Sequence, residues 1–120
     1  MPRDSLAYVI DMIRAAETAL RLIAGFDESE FLDDERTRWA VYSQIIVIGE
    51  AASRVPRDFC DRYQEIPWSE AAGMRHRLVH GYDSVDWSRV WLTLQRDLPP
   101  LLYQLGTLLP NDENGDLQAF

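Results

Sequence analysis

The run Thr37–Val55, TRWAVYSQIIVIGEAASRV, decides the fold. It holds no proline, and its apolar residues Trp39, Val41, Tyr42, Ile45, Ile46, Val47, Ile48, Ala51, Ala52 and Val55 spread over more than one face of a helix. Such a helix is expected to be covered on two sides, by the core of its own subunit and by a partner. Upstream, Leu6, Val9, Ile10, Ile13, Ala16, Leu20 and Ile23 recur at steps of three and four and form one stripe. Asp4 or Ser5 can cap that first helix and Gly25 can stop it. Downstream, Pro56 ends the central helix, and the stretch PRDFCDRYQEIPWSE reads as irregular or short-helical. A third helix is expected from Ser69, a fair N-cap, to Gly81. A fourth follows Asp83 or Asp86 on the stripe Trp87, Val90, Trp91, Leu94, Leu98, Leu101, Leu102 and Leu105, with a kink or break near Leu98 from Pro99-Pro100. The pattern is all-α, an up-down bundle.

Length and composition set the bounds. The chain has 120 residues, 47% of them hydrophobic, enough for one domain with its own core. Cys60 is the single cysteine, so no internal disulfide is expected, and the start MPRDSLAYVI has no long apolar segment before a small-residue cleavage site. A cytoplasmic protein is the expectation. No apolar run approaches the roughly 20 residues of a membrane span, so no membrane partner is expected.

All 12 basic residues are arginine, against 20 acids, for a net charge of −8. That balance argues against general nucleic-acid binding, which depends on neutralising phosphate. Position modifies the argument. Acids crowd into FDESEFLDDE (Asp27, Glu28, Glu30, Asp33, Asp34, Glu35) and into the tail, at Asp112, Glu113 and Asp116. Both segments read as solvated surface, and residues 111–120 as a flexible acidic tail behind a helical domain of residues 1–110. The middle of the chain is close to neutral and can be locally positive.

No phosphate-binding glycine loop, HExxH, GxSxG or paired CxxC is present. Chemistry concentrates in Met74–Tyr82, which holds both histidines, two arginines and a tyrosine. His76 and His80 are four apart and could grip a metal at two points, but no third ligand stands nearby. Arg75 and His80 are five apart, about 140° on a straight helix, so they converge only if the helix ends or distorts, or if two copies of the motif meet. Arginine, histidine and tyrosine suffice for metal-free phosphate chemistry: a base for a ribose hydroxyl, a cation for the phosphorane, a ring or hydroxyl for base or phosphate. Structural roles are also open on these grounds. Arg75 and Arg77 can pair with Glu70 or Asp83, His80 can cap a helix end, and Tyr82 can be a core ring. Glu50, among Gly49, Ala51 and Ala52, can orient Arg75 or Arg77, or be an ordinary exposed carboxylate. Trp68, Trp87 and Trp91 read as packing anchors and Cys60 as a small hydrophobe.

The run Arg75-His-Arg-Leu-Val-His80-Gly-Tyr82 has the form R-x4-H-x-Y and resembles the signature of HEPN-domain proteins of the HepT-like (DUF86) branch. Ile48-Gly-Glu50-Ala-Ala-Ser-Arg54-Val-Pro56, Ile66-Pro67-Trp68 and Gly73-Met74-Arg75 resemble its flanking pieces, and the likeness spans about residues 4–105. The resemblance implies a four- to five-helix homodimeric bundle with two motifs at one cleft. It implies a metal-independent endoribonuclease without cofactor, acting on RNA such as tRNA as the toxin of a type VII toxin–antitoxin system. Arg75 and His80 would be the catalytic pair. Tyr82 would accept AMP from an MntA-like nucleotidyltransferase antitoxin, with Glu50, His76 and Arg77 as supporting candidates. Many HEPN nucleases carry Asn or Asp directly after the arginine, where His76 stands here. The alternative is a non-catalytic HEPN binding module that serves as partner and acceptor for a nucleotidyltransferase.

Overall fold

A computed structural model describes residues 4–80 and 84–110. The order is α1 (Ser5–Leu22), α2 (Glu28–Asp33), α3 (Glu35–Arg54), α4 (Arg57–Arg62), α5 (Trp68–Ala72), a 3₁₀ turn (Met74–Leu78), β1 (Val79–His80), β2 (Ser84–Val85), α6 (Trp87–Leu92), a π turn (Thr93–Asp97) and α7 (Leu98–Gly106). The architecture is an all-α bundle, with the two-residue strands as a local hairpin. The tail 111–120 lies outside the described residues.

α1 starts where the sequence indicates, with an Asp4 carboxylate oxygen accepting from the Leu6 N–H at 3.0 Å. Gly25 follows its end at φ +83°, a left-handed conformation that disfavours any residue with a Cβ. Val9, Met12, Ile13, Ala16 and Ala19 are buried, and α1 packs chiefly along α3. From α3 the core receives Val41, Ile45, Ile48, Ala51 and Ala52, all buried. Trp39 and Val47 are exposed at 49% and 42%, so the second apolar face of α3 is uncovered in the single chain.

The acidic stretch does more than face water. Asp27 accepts from Glu30 N at 2.8 Å while Glu30 accepts from Asp27 N at 3.0 Å, a reciprocal capping box that starts α2. Asp34 then accepts from Thr37 N at 3.1 Å and starts α3. Between these caps Phe31 is fully buried, 5.4 Å from the Trp91 ring centroid and 6.4 Å from that of Trp87. Trp87 also meets Trp39 edge-on at 5.0 Å, and the Arg38 guanidinium lies 5.3 Å from the Trp87 centroid. These rings join α2, α3 and α6 into one corner.

The expected kink at Pro99-Pro100 takes the form of a π turn placed just before it. The Leu98 N–H reaches back to Thr93 O, five residues away, and α7 restarts with both prolines in its first turn. First-turn N–H groups have no intrahelical partner, so proline is tolerated there. Leu94, Leu98, Leu101 and Leu105 stay buried across the junction.

The third helix differs from the expectation of one helix from Ser69 to Gly81. α5 stops at Ala72, and Gly73 N–H bonds to Ser69 O at 3.0 Å. The chain tightens into the 3₁₀ turn and then extends, with Val79 at φ −113° and ψ 127°. Val79 pairs with Val85 and His80 with Ser84, while Asp86 N–H bonds to Leu78 O at 2.7 Å. β-branched Val79 and Val85 suit this extended pairing.

Candidate functional site

The 3₁₀ turn displays charge because its two apolar residues are anchored. Met74 and Leu78 are 2% and 1% exposed, and the three residues between them, Arg75, His76 and Arg77, are all exposed. At three residues per turn, successive side chains leave about 120° apart, so the three point to different sides. Arg75 and His76 line a cleft of about 260 Å³ against α3, with Ile46, Gly49, Glu50, Ser53 and Ala72. Arg77 lines other clefts, toward α6 and the π turn.

Gly49 makes the first cleft possible. A Cβ built there would sit 3.3 Å from Ala72 O and 3.5 Å from Ala71 O, so α3 and the end of α5 approach more closely than most side chains allow. One residue on, Glu50 joins the cleft wall as an exposed carboxylate. It shares that wall with Arg75 and His76 and not with Arg77, and no ion pair within 4 Å joins Glu50 to Arg75. Ser53, whose hydroxyl donates to Glu50 O at 2.8 Å, completes the polar rim.

His80 is placed by its strand pairing, two residues beyond the 3₁₀ turn. The 140° separation of a straight helix does not apply, because the helical turn ends at Leu78 and the chain is extended from Val79. Tyr82 lies outside the described residues, in the connection between β1 and β2. Among the described residues no group of three His, Cys, Asp or Glu side chains gathers as a metal site. No helix among them is long and apolar enough to cross a membrane.

Other sequence expectations resolve as packing. Trp68 donates its indole N–H to Tyr63 O at 3.0 Å, and its ring meets Phe59 at 6.1 Å. Cys60 directs its sulfur toward Val55 O at 3.8 Å; burial, then the carboxylates of Asp61 and Asp58, push its thiol pKa up. Sequence reading assigned no site role to Ser53, Arg89 or Arg96. Arg89 and Arg96 did carry a signal, since residues seven apart share a helix face. The spacing of Arg75, His76 and Arg77 alone could not assign them to clefts, because the clefts are formed by α3 on one side and by α6 and the π turn on the other.

Comparison with known proteins adds to this geometry. The family model described as "Ribonuclease HepT-like" matches residues 12–108. A protein of Thermococcus cleftensis named "Probable ribonuclease HepT" is 37% identical over 101 residues, 84% of this chain and 92% of that one. Two proteins of Methanocaldococcus jannaschii named as candidate RNases are similar as well. One is 33% identical over 82% of this chain and 85% of its own length, the other 30% identical over 95% and 94%. No solved structure matches significantly.

Proposed function

The chain belongs to the HepT-like ribonuclease family, and from that premise we propose that it is a metal-independent endoribonuclease whose catalytic pair is Arg75 and His80. The observation that carries this reading is the exposed Arg75 on a turn anchored by Met74 and Leu78, in a cleft wall, with the His80 strand following directly. In the reaction, an imidazole removes the proton of a ribose 2′-hydroxyl. The 2′-oxygen forms a bond to the adjacent phosphorus as the bond from phosphorus to the 5′-oxygen breaks. A protonated imidazole returns a proton to that leaving oxygen, so the products are a 2′,3′-cyclic phosphate and a 5′-hydroxyl. The Arg75 guanidinium pairs with the phosphate oxygens as charge accumulates on them.

The protein acts as a homodimer, with the exposed Val47 on α3 and the half of Trp39 that its packing on Trp87 leaves open available for the contact. Two motifs then supply two His80 imidazoles and four arginines at positions 75 and 77, which lets an acidic protein hold RNA locally. Its role is that of the toxin in a type VII toxin–antitoxin pair in the cytoplasm. An MntA-like nucleotidyltransferase antitoxin neutralises it: the Tyr82 phenol oxygen attacks the α-phosphorus of ATP, loses its proton and releases pyrophosphate. The resulting AMP ester places a negative charge and an adenosine at the motif, repelling RNA.

The test uses wild type and His80→Ala on total tRNA in the presence of a chelator, with intact mass taken before and after co-expression with an MntA-like nucleotidyltransferase. Loss of the general base or acid is expected to slow cleavage by about 10²–10⁴-fold. An AMP adduct absent from Tyr82→Phe marks the switch. Uncut RNA with unmodified wild type favours the binding-module alternative.

A further inference from the structure

The second cleft of the motif turn has a composition unlike the rest of this acidic surface. It measures about 320 Å³ and lies between the 3₁₀ turn, α6 and the π turn, with Arg77, Arg89 and Arg96 in its wall and Asp97 the single carboxylate. Three cations against one anion leave it at +2 in a chain whose net charge is −8. All three arginines are exposed. Among the described residues one side-chain hydrogen bond holds them, from Arg89 Nη1 to Arg77 O at 3.5 Å, and no ion pair within 4 Å ties any of them to Asp97. A guanidinium carries five N–H donors, so most donors of the group face the cleft or solvent without use in the fold. Leu92, 44% exposed, sits on the same helical face between Arg89 and Arg96, at steps of three and four. The combination of forked cations and an exposed apolar side chain suits a phosphodiester backbone with a ribose or base lying against the leucine.

Resting on the nuclease reading above, we infer that the Arg77–Arg89–Arg96 cleft is an RNA-backbone subsite, which holds the strand next to the scissile phosphate. Arg77 is two residues from Arg75, so a strand seated in this cleft runs onto the catalytic turn. The π turn has a part in this. Arg96 stands on that turn, Thr93–Asp97, and lines the cleft from it.

The experiment measures binding of a 2′-O-methyl oligoribonucleotide, which lacks the attacking hydroxyl, as a function of salt. Arg89→Ala/Arg96→Ala is expected to raise Kd at least tenfold and to flatten the plot of log K against log salt by about 1.4, at ~0.7 per lost phosphate contact on a single strand. Arg14→Ala/Arg21→Ala removes the same charge from α1 and is expected to change Kd less than twofold. Arg96→Ala alone, which removes no hydrogen bond of the described fold, is expected to account for about half of the slope change. A double variant within twofold of wild type overturns the subsite, as do equal losses in the two doubles, which would mark diffuse attraction. Either result leaves the nuclease reading intact if wild type cuts RNA. A wild type that neither cuts nor binds RNA overturns both.

Discussion

The aromatic corner and the motif turn are built on opposite principles. In the corner, Phe31, Trp39, Tyr42, Trp87 and Trp91 interlock between α2, α3 and α6, Arg38 stacks on Trp87, and the chain entering it is capped twice, by Asp27 and Asp34. In the turn, two buried residues hold two exposed arginines and an exposed histidine, and the backbone runs from α-helix through 3₁₀ to strand within a few residues. The corner spends its side chains on the fold. The turn leaves its side chains to solvent and to whatever enters the clefts, so sequence changes in the two regions should separate stability from activity.

The largest expected effect is on the corner. Phe31→Ala removes a fully buried ring between Trp87 and Trp91 and should cost about 3–5 kcal/mol in urea unfolding. A loss below ~1 kcal/mol would mean that the corner is not a structural centre. Arg75→Ala should do the reverse, lowering tRNA cleavage by about 10²-fold, as expected for loss of one charge-stabilising donor. Its unfolding free energy should change by no more than ~0.5 kcal/mol, because the side chain is exposed; a large loss of stability would break the contrast. Gly49→Ala tests the seam between the two principles. The new methyl meets backbone oxygens at 3.3 and 3.5 Å, so α3 and α5 must part, at about 1–3 kcal/mol in stability and with reduced cleavage through the displaced Arg75 wall. The smallest effect is at Cys60. Its raised thiol pKa keeps it protonated to higher pH, so alkylation near pH 8 should be slower than for a free cysteine and should accelerate as pH rises past the ordinary thiol value. Fast alkylation at neutral pH would show the thiol to be open and activated.

Much of this was legible beforehand for identifiable reasons. The stripe of α1 and its Asp4 cap, the long α3 and the end at Pro56 depend on local periodicity and local hydrogen bonds, which sequence spacing reports directly. The acidic run was read for its charge, and its short helix went unnoticed because Phe31 is one buried residue among exposed acids. The candidate residues Arg75, His76, Arg77, His80 and Glu50 could be named from the sequence, but the clefts that Arg75, His76, Arg77 and Glu50 line could not, because α3, α6 and the π turn form those clefts from distant parts of the chain.

By itself, the sequence determined the all-α class, the helix start at Asp4, and the family to which the chain belongs, since caps, periodicity and motif are properties of neighbouring residues. Only the tertiary structure decided that α5 gives way to a 3₁₀ turn and a hairpin, and that Glu50 lines a cleft with Arg75 and not with Arg77. It also decided that Arg77, Arg89 and Arg96 share one wall. These outcomes depend on burying Met74 and Leu78 against the core and on the close approach at Gly49, contacts between residues far apart in the chain that no local pattern encodes.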